Sequence, residues 1–139
     1  MILWAGFAVL GLMTLLWLCS IYLKNVSIVD NFWGIGFVLA TLVYTLHVEI
    51  LYTRMIVVFL LVIVWGLRLS VHLMIRNHGK GEDYRYREFR QRYGAHRYWW
   101  FSFFQVFLLQ GVLVLIISSP QLGVAIETHA NTLNIIDYI

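Results

Sequence analysis

Charge is almost excluded from most of this chain and gathered into one connection, and that pattern decides what the chain can fold into. Four apolar stretches, about 1–23, 27–46, 52–75 and 101–119, surround a basic amphipathic segment at 76–100. Only 12% of the residues are charged and 61% are hydrophobic, with a mean hydropathy of +0.79. A soluble domain carries about 25% charged residues to keep its surface wet. Half that figure leaves lipid as the solvent for most of the side chains. Each stretch has the ~20 apolar residues that a helix needs to cross a ~30 Å hydrocarbon core. Within lipid every spanning segment must satisfy its own backbone, which selects helices. The expected fold is therefore all-α: a polytopic membrane helix bundle with four transmembrane helices in one membrane domain, 1–139. Thr132-Leu133-Asn134-Ile135-Ile136-Asp137-Tyr138-Ile139 reads as the start of a fifth helix, too short to cross, as though the chain were truncated there.

The loops set the sidedness. Seven Lys or Arg residues against three acids lie in 76–97. Cytoplasmic loops carry the Lys/Arg excess, so this loop is expected in the cytoplasm. Lys24 then shares that side, and the amino terminus and the turn around His47, Glu49 and Arg54 lie outside. Localisation is expected to be an integral, multi-pass one, in a bacterial inner membrane or its equivalent. The net charge of +3 is no nucleic-acid footprint, because its residues flank membrane spans and face anionic headgroups there. Membrane lipids and a hydrophobic small molecule are the expected partners, with no nucleic acid. The first stretch lacks the basic start of a secretory signal. Cys19 is the only cysteine, so it forms no internal disulfide and no metal site is expected.

Polar residues inside the apolar stretches are the candidates for chemistry, because ionisable groups at membrane depth are costly to keep. Ser27, Asp30, Asn31 and Gly34 fall on one helical face, with Trp33 beside them; Ser27 is positioned to cap and Asp30 to meet the helix dipole. Trp65, Arg68, His72 and Arg76 share another face. Arg76 can snorkel to the headgroups, whereas Arg68 lies two turns deeper, where Asp30 is a plausible internal partner. Gln105 and Gln110 are five apart and would not share a face of a regular α-helix. The residues so read for catalysis are Asp30 as an orienting carboxylate, Arg68 and His72 as donors to an oxyanion or phosphate, and Tyr84 as a proton donor.

The basic segment has its own organisation. Gly79-Lys80-Gly81 allows a tight turn whose N–H groups and ammonium can cradle an anion, though the rest of a P-loop is missing. With Asn77 and Arg85 these residues make up the expected cofactor-binding set. Asp83 is placed to cap a helix that reaches Tyr93 and stops at Gly94. Asp83/Arg87 and Glu88/Arg92 would pair at i,i+4, and Tyr86, Phe89 and Tyr93 form an aromatic edge suited to the interface.

Four runs occur in this order: Ser27-Ile28-Val29-Asp30-Asn31-Phe32-Trp33-Gly34, Trp65-Gly66-Leu67-Arg68-Leu69, Arg76-Asn77-His78-Gly79-Lys80-Gly81-Glu82-Asp83-Tyr84-Arg85-Tyr86, and Phe104-Gln105-Val106-Phe107-Leu108-Leu109-Gln110-Gly111. In this the chain resembles the amino-terminal half of a largely uncharacterised family of multi-pass membrane proteins related to the steroid 5-alpha-reductases. The resemblance implies NADPH as cofactor and reduction of a C=C bond in a lipid-soluble enone. Family members carry an Arg-His-Pro-Asn-Tyr run in a later half, associated with NADPH binding; this chain has no such run, so a missing carboxy-terminal half is an implied partner. A related membrane methyltransferase acting on a hydrophobic acceptor, or a non-catalytic membrane fragment or scaffold, are the alternatives.

Overall fold

The computed structural model describes residues 1–126, and the expected helix start at 132–139 lies outside them. All regular elements among the described residues are helical, with no strand among them. In order they form α1 (Ile2–Leu23), the single turn α2 (Ile28–Asn31), α3 (Trp33–Leu46), α4 (Thr53–Asn77), α5 (Tyr84–Tyr93), α6 (Ala95–Ser102), a π-helical segment (Phe103–Leu108), α7 (Leu109–Ile117) and α8 (Ser119–Ile126).

Three rods are long and apolar enough to cross a membrane: α1, α4 and the continuous run Ala95–Ile117. α3 is apolar too, but its 14 residues reach only about 21 Å at ~1.5 Å per residue. The expected single span 27–46 is thus divided. Phe32 sits between α2 and α3 with φ −101° and ψ 4°. Asp30 and Asn31 lie just before the break, and such side chains offer polar alternatives to a regular helix. The third long rod begins at Ala95 and not near 101, so the polar connection is 78–94. α1 and α4 run over Ile2–Leu23 and Thr53–Asn77, against the expected 1–23 and 52–75, and the third rod ends at Ile117.

α3 is the centre, packed against α1, α4, α7 and α8. Its buried stripe is Gly34, Gly36, Phe37, Ala40, Thr41 and Tyr44, mostly small. Small residues let membrane helices approach until dispersion and hydrogen bonding hold them, since lipid supplies no hydrophobic drive between helices. The closest approach is α3 to α4. A Cβ on Gly34 would stand 2.1 Å from the Gly66 carbonyl oxygen, and one on Gly66 would stand 2.6 Å from that of Gly34. No other residue fits this crossing. Polar links close the far side of α3: Thr41 Oγ1 donates to Gln121 Oε1, and Tyr44 Oη lies 3.2 Å from Ser118 Oγ.

α1 buries one stripe, Ala5, Val9, Met13, Leu16 and Ser20, and leaves Leu3, Phe7, Leu15 and Leu18 exposed. A helix that is apolar on its outer face as well is one whose solvent is lipid. It ends on Lys24 at φ 53°, with Lys24 N–H donating to Ile21 O and Asn25 N–H to Ser20 O. That is a Schellman stop, and it turns the chain sharply into 25–31. Trp17 then ties α1 to the third rod: its Nε1–H donates to the Trp99 carbonyl at 2.9 Å and its ring meets Phe103 edge-on at 5.1 Å.

Candidate functional site

The polar connection 78–94 does not hang free. It folds back onto 25–31, contact by contact. Val26 N–H donates to Glu82 Oε1 (2.9 Å), Asp83 N–H to Ser27 Oγ (2.7 Å), and Asn77 Nδ2 to Asn31 Oδ1 (2.8 Å). Ser27 therefore does not cap α2; its hydroxyl is spent on the connection, and its own N–H goes to Asn25 Oδ1. Glu82, only 8% exposed, accepts from Nη2 and Nε of the Arg90 guanidinium at 2.9 and 3.1 Å. A buried carboxylate needs such a bidentate partner to repay its lost hydration.

α5 starts and stops where local chemistry directs. Asp83 accepts from the Arg85 N–H at 3.0 Å, and Gly94 ends the helix at φ 78°. The same carboxylate accepts from Arg85 Nε and Nη2, at 3.1 and 3.2 Å, and these bonds hold it below the usual carboxylate range. Arg85 takes the place expected for Arg87 as the partner of Asp83. Glu88 and Arg92 do meet, at 3.9 Å.

The centre of the site is Asp30. Its Oδ1 accepts from the Tyr86 hydroxyl at 3.1 Å and from Gln110 Nε2 at 3.2 Å, and its Oδ2 lies 3.6 Å from Arg85 Nη2. Three donors from two distant parts of the chain thus face one carboxylate, which is 21% exposed. Burial and the neighbouring Asp30 charge push the Tyr86 phenol above its ordinary pKa, so it stays a proton donor at neutral pH.

This cluster forms one end of a groove of about 570 Å³ between α4, α5 and the third rod. Leu69, Leu73, Val106, Leu109 and Leu113 line its apolar length, and Arg76, Gln105 and Trp33 add polar groups. A mostly apolar cavity with a few convergent donors is the usual form of a small-molecule site. Trp33 Nε1 and Gln110 Oε1 are buried without partners among the described residues, so two polar atoms on residues of the groove wall are left unspent. Such orphans are few in folded proteins and call for an explanation.

The π-helical segment explains why both glutamines appear in this wall. With i→i+5 hydrogen bonding the turn is wider than an α-turn, and residues five apart come onto one side. The regular helix that would separate Gln105 from Gln110 is not the one that forms here.

The other candidates lie elsewhere. Arg68 and His72 are exposed and line a separate shallow groove of about 310 Å³ with Trp65 and Leu69. Neither reaches Asp30, and neither has a hydrogen-bond or ion-pair partner among the described residues. Tyr84, 68% exposed, lies in a polar cleft of about 310 Å³ with Asn31, Asn77, Lys80, Gly81 and Arg87. Gly79 turns the chain at φ 73° beside it. Of the expected cofactor set, Asn77, Lys80 and Gly81 share this cleft, while Arg85 lines the apolar groove. No group of three or more His, Cys, Asp or Glu that could hold a metal occurs among the described residues.

Tyr86 and Gln110 are the groups that sequence reasoning passed over as site residues. Tyr86 falls on the aromatic edge of α5 and Gln110 in an apolar run, and no local pattern marks either as a partner of Asp30.

The chain belongs to the DUF1295 family, described as proteins of unknown function, whose family model matches residues 16–139. No curated protein and no solved structure matches it.

Proposed function

We propose that this member of the DUF1295 family is the substrate-holding, amino-terminal membrane part of an oxidoreductase related to the steroid 5-alpha-reductases, which reduces a C=C bond of a lipid-soluble enone with NADPH. The observation that carries the reading is the Tyr86–Asp30–Gln110 cluster closing one end of an apolar groove. The apolar length suits a lipid-soluble body, and the closed end presents donors of the kind a ketone oxygen accepts. Tyr86 and Gln110 are the donors, and Asp30 is the positioning carboxylate that aims both. On binding, the Tyr86 hydroxyl turns its one proton from Asp30 to the ketone, beside the second Nε2–H of Gln110, and these bonds draw electron density from the β-carbon, which prepares it for a hydride. NADPH, when bound, supplies that hydride, and a proton completes the saturated ketone at the α-carbon.

The polar cleft fits the anionic part of such a cofactor. Lys80 and Arg87 line it without ion-pair partners among the described residues, while its three acids are already paired, Glu82 with Arg90 and both Asp83 and Asp30 with Arg85. Asn77, Lys80 and Gly81 would hold a phosphate there. At about 310 Å³ the cleft has room for that part only, near the lower limit of ligand pockets.

The same reading has α3 cross the membrane as a fourth span, with the amino terminus outside and 78–94 in the cytoplasm. The basic excess of 76–97 supports this, as does the docking of the connection onto the segment just after Lys24.

Purified protein titrated with a lipophilic α,β-unsaturated ketone should show saturable quenching of tryptophan fluorescence, because Trp33 lines the groove. Tyr86→Phe should weaken binding about tenfold, the value of one hydrogen bond of ~1.4 kcal/mol. Consumption of NADPH with formation of the saturated ketone tests the reaction itself. Absence of saturable binding, or binding indifferent to Tyr86→Phe, would overturn the site.

A further inference from the structure

A larger cavity than the enone groove lies elsewhere. About 890 Å³ in volume, it lies between the last turn of α1 and helices α5 and α6. It shares no lining residue with the enone groove. Both helix ends that bound it, Ser20 to Lys24 and Ala95 to Ser102, are ends of membrane-length rods, so the cavity opens at the level of the headgroups. Its wall divides in two. Ile21, Val26, Ala95 and Trp99 are apolar, whereas Lys24, Arg87 and Gln91 are polar and exposed.

The charges here do not cancel. Glu82 is the one acid in the wall, and the bidentate bond to Arg90 neutralises it. Lys24 and Arg87 have no ion-pair partner among the described residues, which leaves two free cations around the opening. A second, independent observation lies in the wall. Tyr98 is fully buried, with Arg90 stacked 5.1 Å over its ring, yet its hydroxyl has no hydrogen-bond partner among the described residues. A buried hydroxyl left unsatisfied costs about 1–3 kcal/mol. Tyr98 belongs to the same cavity lining as Lys24 and Arg87.

We propose that this cavity binds a phosphate-bearing anion, and that its source is the headgroup of an anionic phospholipid. Lys24 and Arg87 meet the phosphate charge and the Tyr98 hydroxyl donates to an oxygen of the headgroup. Ile21, Ala95 and Trp99 receive the first carbons of an acyl chain. A soluble phosphate would use the same cations but leave that apolar wall empty, which favours the lipid. Anionic lipids also reach the highest local concentration at this depth.

The test reconstitutes the full chain in nanodiscs of equal phosphatidylcholine and phosphatidylglycerol, extracts it gently, and counts retained lipid by native mass spectrometry. The wild type should keep phosphatidylglycerol over phosphatidylcholine by fivefold or more. Lys24→Asn retains a residue that tolerates the left-handed conformation of position 24, and it should cut that preference several-fold. Tyr98→Phe, which keeps the ring in place, should cut it further. Lys80→Gln removes an equal charge from the neighbouring cleft, which shares Glu82 and Arg87 with this cavity but not Lys24 or Tyr98, and should leave the preference intact. If millimolar inorganic phosphate displaces phosphatidylglycerol and raises the melting temperature in phosphatidylcholine alone, the site stands and its anion is soluble. Equal retention of both lipids by the wild type with no effect of phosphate overturns the proposal. So does a preference unchanged in the Lys24→Asn/Tyr98→Phe double variant.

Discussion

Asp30, Glu82 and Asp83 are three carboxylates with three different tasks, each set by what surrounds it. Asp83 caps α5, and its replacement by Ala should cost about 1 kcal/mol, seen as a lower unfolding midpoint in detergent. Because its folded pKa is lowered, this stabilisation is present above the unfolded carboxylate value and is lost as pH falls through the acid range below about 4. The Asp83→Ala variant should accordingly lose less stability on acidification than the wild type. Tyr86 runs the other way. Its folded pKa is raised, so its contribution is complete below the unfolded value of about 10 and disappears as pH rises beyond it. Tyr86→Phe should show a shallower alkaline decline in fluorescence-monitored stability; an unchanged slope would mean that Tyr86 is not the donor to Asp30.

At the scale of elements, the α3–α4 crossing and the π-helical segment govern where the site sits. Gly34→Ala and Gly66→Ala each drive a Cβ into backbone across the crossing, and overpacking of this kind costs about 1–3 kcal/mol or more. Gly36→Ala meets side chains alone, Val114 at 3.3 Å and Met13 at 3.8 Å, so a smaller loss is expected. Gly11→Ala meets nothing within 4 Å and should be neutral or stabilise α1 by up to ~1 kcal/mol. Thermal melts of the four variants in one detergent test the ranking; if Gly34→Ala and Gly11→Ala melt alike, the helices do not cross as described. α5 was legible from its own letters, because Asp83 and Gly94 are local start and stop signals. The wide turn at Phe103–Leu108 was not, since an apolar run reads equally well as α or π until neighbouring helices select the register.

For the molecule as a whole, the docking of 78–94 onto 25–31 is the contact that makes one site out of distant parts. Glu82→Ala removes the acceptor for both Val26 and Arg90. Breaking a buried pair costs about 3–5 kcal/mol; Arg90 is 29% exposed, so solvent reduces this to about 2 kcal/mol. The connection should then open roughly 30-fold more often, with faster trypsin cleavage at its Lys and Arg residues. Sidedness has its own check. In a Cys19→Ser background, Lys80→Cys and Glu49→Cys should react with impermeant thiol reagents from opposite faces of the membrane, separated by α4. Labelling from one face would refute the four-span arrangement.

The sequence by itself determined the helical class, the lipid-facing surface, the α5 boundaries and the choice of Asp30 as a residue worth watching. These follow from local quantities: hydropathy over ~20 residues, capping chemistry and the cost of an ionisable group near lipid. Tertiary structure alone decided what Asp30 touches. Its partners, Tyr86 and Gln110, lie 56 and 80 positions away along the chain, and no periodicity links such positions. Arg68, placed by its depth as a partner for Asp30, faces outward, because the Gly34–Gly66 approach fixes the rotation of α4 and turns that side of it away. Backbone contact between two glycines thus chose which cations and hydroxyls surround the carboxylate, and with them what the groove is fitted to hold.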